Sequence, residues 1–145
     1  MAKCGVNKMH YETTDEIKEQ DQRAIYEGLL QYNLERLEDK SPKDLGVYAR
    51  DEAGNIVAGL IGNTHGKWLA VKFLWVSESL RGRNIGSKIL KQAEETAKRR
   101  GCKYAFLDTF SFQAPLFYRK HGYREVFALE DYPLTGKRYY FTKSL

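Results

Sequence analysis

A mixed α/β sheet, built in the order β-α-β-β-β-α-β-α-β-β, is the fold class this sequence predicts. Three observations predict it. The apolar run Trp68–Val76 leads into a short basic loop, Leu80-Arg-Gly-Arg-Asn-Ile-Gly86, and then into a helical segment. In that segment Ile85, Ile89, Ala93 and Ala97 recur every four residues, the stripe of an amphipathic helix. Upstream, Leu45–Arg50 and Ile56–Ile61 read as two strands around Asp51–Asn55, a hairpin turn.

In chain order, Lys8–Glu12 reads as a first strand. Thr13 with Glu16 has capping-box spacing, and Ile17, Ala24, Ile25, Gly28, Leu29 and Tyr32 follow at helical spacing, so Thr14 to about Leu37 is one long helix or two short ones. Ser41–Asp44 is a loop. Asn63–Gly66 reads as a second turn leading into the strand Trp68–Val76. The helix after the basic loop carries Glu94–Lys98 and Glu95–Arg99 at the i,i+4 spacing that supports ion pairs, and Gly101 stands where a left-handed cap would end it. Tyr104–Leu107 is an apolar strand, parallel to the one before the helix by the right-handed crossover rule. Pro115 suits the first turn of a short helix ending near His121-Gly122. Tyr123–Ala128 and Lys137–Thr142 read as a closing strand pair.

At 145 residues the chain is the size of one domain, and 42% hydrophobic with 30% charged residues is ordinary for a globular protein. No apolar run approaches the roughly 20 residues that span a bilayer, and the first residues have no apolar signal core, so the expectation is a cytoplasmic protein with no membrane partner. Cys4 and Cys102 form no disulfide framework, and the three histidines, His10, His65 and His121, lack ligand spacing; no metal is expected. The net charge of +5 suits an anionic partner. No recognised nucleic-acid-binding signature accompanies it, and Lys98-Arg99-Arg100 suits the negative end of a helix dipole.

The loop itself is the strongest chemical signal. The first N–H groups of a helix have no internal partners and carry the positive end of the dipole, so a glycine-containing loop that opens a helix is an anion site. Arg81 and Arg83 add full charges. The residues by themselves imply a site for a cofactor phosphate.

With this element order, two motifs make the chain resemble the GNAT superfamily of acyl-CoA-dependent N-acyltransferases. The family loop, Arg/Gln-x-x-Gly-x-Gly/Ala, is here Arg81-Gly-Arg-Asn84-Ile-Gly86, with Asn84, which tolerates positive φ, in place of the first glycine. The second signature, roughly Asn-x-x-Ala-x-x-Phe/Leu-Tyr-x-x-x-Gly-Phe/Tyr, is here Ser111-Phe-Gln-Ala114-Pro-Leu-Phe117-Tyr118-Arg-Lys-His-Gly122-Tyr123, with Ser111 in place of asparagine. The resemblance spans the chain by element order and about 55 residues by motif.

The resemblance implies a GNAT-like fold and an N-acetyltransferase that uses acetyl-CoA as co-substrate. The amides of Arg83, Asn84, Ile85, Gly86 and Ser87 would cradle the coenzyme pyrophosphate, with the Arg81 and Arg83 side chains adding charge and Ser111 a polar contact. The amides of Leu74 and Val76 would face the pantetheine, the former polarising the thioester carbonyl. Tyr118 would be the general acid that protonates the leaving thiolate. Histone-acetylating relatives carry a glutamate where this chain has Ala70, so the base stays open among Glu78, Asp108 and a water relay. Phe110, Phe112, Phe117, Tyr118 and Tyr123 would wall an acceptor pocket or simply pack the core. The implied partner is a small-molecule or peptide amine, with homodimerisation left open. Two rival readings are a non-catalytic acyl-CoA-binding module and a basic nucleic-acid-binding domain.

Overall fold

The computed structural model describes residues 8–145, which fall into two compact units divided after Lys40. Cys4 lies outside the described residues.

In the first unit a single helix, α1 (Glu19–Leu34), is preceded by irregular chain. The first strand expected at Lys8–Glu12 does not form. Met9 and Tyr11, its apolar positions, are exposed, and among the described residues the segment pairs with no strand. The capping box also fails. Thr14 Oγ1 accepts the Glu16 N–H at 3.0 Å in a local turn, and the helix starts five residues later behind Lys18, whose side chain does not cap it. Arg23 and Glu19 form an i,i+4 ion pair at 2.9 Å, and Leu37 N–H closes the end on Asn33 O at 2.8 Å.

The second unit is a six-stranded sheet with two helices. In order come β1 (Lys43–Arg50), β2 (Ile56–His65), β3 (Trp68–Val76), a single 3₁₀ turn (Glu78–Leu80), α2 (Ile85–Arg99), β4 (Tyr104–Phe110), α3 (Pro115–Lys120), β5 (Arg124–Leu129) and β6 (Arg138–Ser144). The spatial order is β1-β2-β3-β4-β6-β5, with β3–β4 the parallel pair and all other neighbours antiparallel. The expected turn at Asn63–Gly66 is displaced. β2 runs on to His65, which pairs with Trp68 across a two-residue loop.

The stripe on α2 is buried as its spacing requires. Ile89, Ala93 and Ala97 are buried and Ile85 packs beside them, against Leu60, Leu69 and Val71 of the sheet. Gly101 takes φ 93° just past the helix end, and Cys102 N–H reaches back to Ala97 O at 2.9 Å. Arg100, part of the basic cluster, spends its guanidinium on the β1–β2 hairpin: Nη1 donates to Asp44 O at 3.0 Å and Thr64 Oγ1 at 3.1 Å.

The i,i+4 ion pairs expected on α2 are absent among the described residues. Glu94 turns inward instead. Its Oε2 accepts from Tyr123 Oη at 2.8 Å, and its Oε1 accepts from Lys143 Nζ at 3.0 Å. Arg99 donates to Thr96 Oγ1 at 3.1 Å rather than meeting Glu95. The buried Glu94 therefore ties the helix to β6 and to the turn that follows α3.

Candidate active site

Two strands that begin as neighbours part company here. β3 and β4 pair only through Trp68–Ala70 and Tyr104–Phe106; beyond Ala70 and Phe106 no ladder bonds join them. The cause lies one strand over. Between β2 and β3 the register slips at Ile61/Gly62, which pair with Phe73 and Val71, so Lys72 bulges out and β3 bends. Gly62 permits the close approach, since a Cβ there would run into the Ala70 carbonyl. The gap is the mouth of a cleft of about 970 Å³.

The bend leaves polar backbone on the cleft side of β3. Ser77 N–H donates to Val57 O at 2.9 Å, so by antiparallel alternation Trp75 and Phe73 also turn their N–H groups to β2. Leu74 and Val76 then present theirs to the open side. The Val76 carbonyl points the same way, because Arg81 Nε donates to it at 3.3 Å.

The floor of the cleft is the start of α2. Gly82 (φ 80°) and Asn84 (φ 60°) both occupy the left-handed region, which lets the chain turn sharply into the helix; asparagine is among the few non-glycines that do so cheaply. Lys88 N–H is the first to find an intrahelical acceptor, Asn84 O at 3.1 Å, and the Asn84 side chain makes no cap. Among the described residues, the amides of Ile85, Gly86 and Ser87 therefore have no acceptor. A Cβ on Gly86 would fill the crevice between Val76 and Phe117, 3.5 Å from one and 3.6 Å from the other. Unpartnered donors, a bare glycine and Arg81 together fit a diphosphate.

Tyr118 closes the far end. It is 7% exposed, and its ring sits edge-on to Phe117 and Tyr123. Among the described residues its hydroxyl has no hydrogen-bond partner, so it is available to a group in the cleft. Burial, with a smaller push from the negative charge of Asp108, raises the phenol from 10.0 to about 12. The folded protein thus holds this proton more tightly than the unfolded chain. The resulting stability is complete below pH 10 and is lost as pH rises towards 12, on the order of 3 kcal/mol for a shift of about two units. Tyr123, raised chiefly by burial and then by the charge of Glu94, acts in the same direction. Urea unfolding should show falling stability between pH 10 and 12 and a shallower fall in Tyr118→Phe; a flat profile over that range would contradict the burial seen here.

Asp108 lies in the cleft wall, and its Oδ2 accepts from Arg138 Nε at 2.7 Å. Arg138 also donates to Tyr132 Oη at 3.1 Å and sits over the rings of Phe110, Tyr132 and Tyr140 at 5.3–5.6 Å. Glu78 stands in the 3₁₀ turn and does not line the cleft. Of the two carboxylates considered as bases, Asp108 alone lines the cleft. Of the expected aromatic wall, Phe110, Phe112, Phe117 and Tyr118 line the cleft, with Phe110 and Phe112 stacked at 5.3 Å; Tyr123 is buried behind it.

The structure brings Leu74, Val76, Arg81, Asn84, Ile85, Gly86, Ser87 and Tyr118 onto one cavity. It leaves two expected residues off the lining. Arg83 is exposed beside the loop, and Ser111 is used structurally: its Oγ accepts the Lys137 N–H at 3.2 Å, joining the end of β4 to the start of β6. Gln113 stands in the cleft nearby, its Oε1 accepting from Phe110 N–H at 2.8 Å and Thr109 Oγ1 at 3.2 Å. The sequence reads His121 only as a residue at a helix end. It lines the cleft, with Nε2 2.9 Å from Ser87 Oγ and its ring 4.6 Å from that of Phe117. The only sequence signal for this was its place within the second signature.

Comparison with known proteins agrees with this geometry. The model of the acetyltransferase (GNAT) family matches residues 9–123. An acetyltransferase of Agrobacterium fabrum is 34% identical over 121 residues, covering 83% of this chain and 88% of its own. Blasticidin-S acetyltransferase of Streptomyces morookaense is 40% identical over 88 residues, 60% of this chain and 65% of its own. The crystal structure of an acetyltransferase from Bacillus cereus superposes with a TM-score of 0.81 at 35% identity, over 92% of this chain and 98% of that one. A parted parallel strand pair, an uncapped helix start between the strands and this match over most of the chain lead to one conclusion: the protein belongs to the GNAT family of acetyltransferases.

Proposed function

We propose that the protein is an acetyl-CoA-dependent N-acetyltransferase that transfers the acetyl group directly to a small-molecule primary amine in a ternary complex. The observation that carries this reading is the free edge of β3 beyond Ala70, which runs from the uncapped start of α2 past the hydroxyl of Tyr118. When bound, acetyl-CoA supplies an acetyl group activated as a thioester. In this reading the amides of Ile85, Gly86 and Ser87, with Arg81, hold the diphosphate. Leu74 N–H donates to the acetyl carbonyl oxygen where negative charge develops. Tyr118 gives its proton to the departing sulfur. Asp108, held in orientation by Arg138, receives the acceptor ammonium, with a water relay completing proton removal. Direct transfer is favoured because Cys102, the cysteine among the described residues, is buried away from the cleft.

For the acceptor, the likeness to blasticidin-S acetyltransferase supports a small molecule of the antibiotic kind over a protein side chain. Isothermal titration should show micromolar acetyl-CoA binding that weakens with added salt, and Arg81→Glu should weaken it by about 10- to 100-fold through reversal of one charge beside the diphosphate. A panel of small amines followed by free-thiol release then identifies the acceptor. No binding at millimolar acetyl-CoA would end this reading.

A further inference from the structure

Three large aromatic side chains line the cleft yet stay open to solvent: Phe112 is 79% exposed, Phe73 69% and Trp75 51%. Alternation along the strands places two of them on the same face as the acidic group of the site. On β3, Val71 is buried and Leu74 and Val76 pack against the same core, so Phe73 and Trp75 belong to the opposite face. On β4, Leu107 and Thr109 are buried, so Asp108 and Phe110 also face away from the core side, where α2 packs. Asp108 is the one carboxylate among the described residues that line the cleft. Phe110 stacks on Tyr132 at 5.5 Å and on Phe112 at 5.3 Å, the latter pair with planes 8° apart. Phe112 ends this stack and meets no other ring among the described residues. Phe73 and Trp75 stand on the facing lip, across strands that do not pair beyond Ala70 and Phe106. Open ring faces gathered in a concave site favour a planar partner.

We propose that the acceptor is an amine joined to a planar aromatic or heteroaromatic ring, which stacks on Phe112 beneath Phe73 and Trp75 while its nitrogen meets Asp108. The inference rests on the N-acetyltransferase reading above and names the class of acceptor within it. The dimensions agree. Asp108 and Phe110 stand two residues apart on one strand, about 6.6 Å. A ring that continues the Phe110–Phe112 stack reaches the carboxylate through a short link of two carbons. Stacking of this kind is gained by a flat ring and lost to a puckered or acyclic chain of similar size.

The test compares 2-phenylethylamine with 2-cyclohexylethylamine, which share a carbon skeleton and differ in planarity, and with spermidine, an acyclic amine. Each is followed by free-thiol release from acetyl-CoA. Wild type should use the phenyl amine with kcat/KM at least about fivefold above that of either other amine. Phe112→Ala should erase most of that preference by raising KM for 2-phenylethylamine about 5- to 50-fold, with acetyl-CoA affinity within about twofold of wild type. At 79% exposure the side chain can be removed without opening the core. Tyr48→Ala, which deletes a half-exposed ring outside the cleft, should keep the preference. No preference in wild type, a preference that survives in Phe112→Ala, or one that falls equally in Tyr48→Ala overturns the inference and leaves the N-acetyltransferase reading standing. A larger fall in acetyl-CoA affinity in Phe112→Ala also overturns it, by assigning the ring to the coenzyme. Thiol release with none of the three amines overturns it too, and titration with acetyl-CoA then decides whether the reading above falls with it.

Discussion

Replacing Tyr118 with Phe is expected to cut turnover by about 10²–10⁴-fold while acetyl-CoA affinity stays within about twofold. The substitution deletes one oxygen and keeps the ring contacts to Phe117, Tyr123 and Phe141. Among the described residues that hydroxyl has no partner to strand, so the variant should fold with near wild-type stability below pH 10. A phenol raised to about 12 keeps its proton across the working range and is a poor acid in the ground state. A free thiol titrates near 8.5, so proton transfer from this phenol is uphill even to a fully charged thiolate, and least so once the sulfur carries that charge. The proton should therefore move late, and isotope effects in heavy water on wild-type turnover should vanish in the variant. Turnover within threefold of wild type would assign Tyr118 to packing.

The second large effect concerns stability. Glu94→Ala is expected to destabilise the protein by about 3–5 kcal/mol, lowering the thermal midpoint by on the order of 10 °C. The side chain of Glu94 is 11% exposed and that of Lys143 24%, so removing one leaves the other in a poorly solvated position without a counter-charge. Tyr123, 2% exposed, loses the acceptor for its hydroxyl at the same time. Removing both charges together is a different matter, since the penalty comes from the orphan rather than from the missing attraction. Glu94→Leu with Lys143→Met should recover most of the loss. Calorimetry of the single and double variants decides between these, and a Glu94→Ala midpoint within 2 °C of wild type would show that the triad is a surface pair of little consequence.

The parts of this protein written locally were legible from sequence. The four-residue recurrence of Ile85, Ile89, Ala93 and Ala97 specifies a helix and its buried face within a single segment. The left-handed turn at Gly82 and Asn84 and the proline that opens α3 depend on their own backbone preferences. The loop motif at Arg81–Gly86 and the second signature at Ser111–Tyr123, with the element order, sufficed to indicate the family. Local signals also misled where a neighbour was needed. Lys8–Glu12 alternates like a strand but pairs with none among the described residues, and Thr14 satisfies an N–H in a turn before any helix starts.

Tertiary structure decided the rest, because each deciding contact joins residues far apart in sequence. Glu94 and Lys98 have the right spacing for an ion pair, yet the sheet carries Lys143 and Tyr123 to the inner side of α2, where a buried carboxylate gains more from two donors than from one exposed lysine. Asp108 meets Arg138 only because β6 inserts between β4 and β5. Ser111 stands where the signature has asparagine, and the start of β6 takes its hydroxyl. The cleft itself exists because an extra residue at Lys72 and a bare glycine at Gly62 bend β3 away from β4, and no pattern within β3 alone records a register slip set by its neighbour.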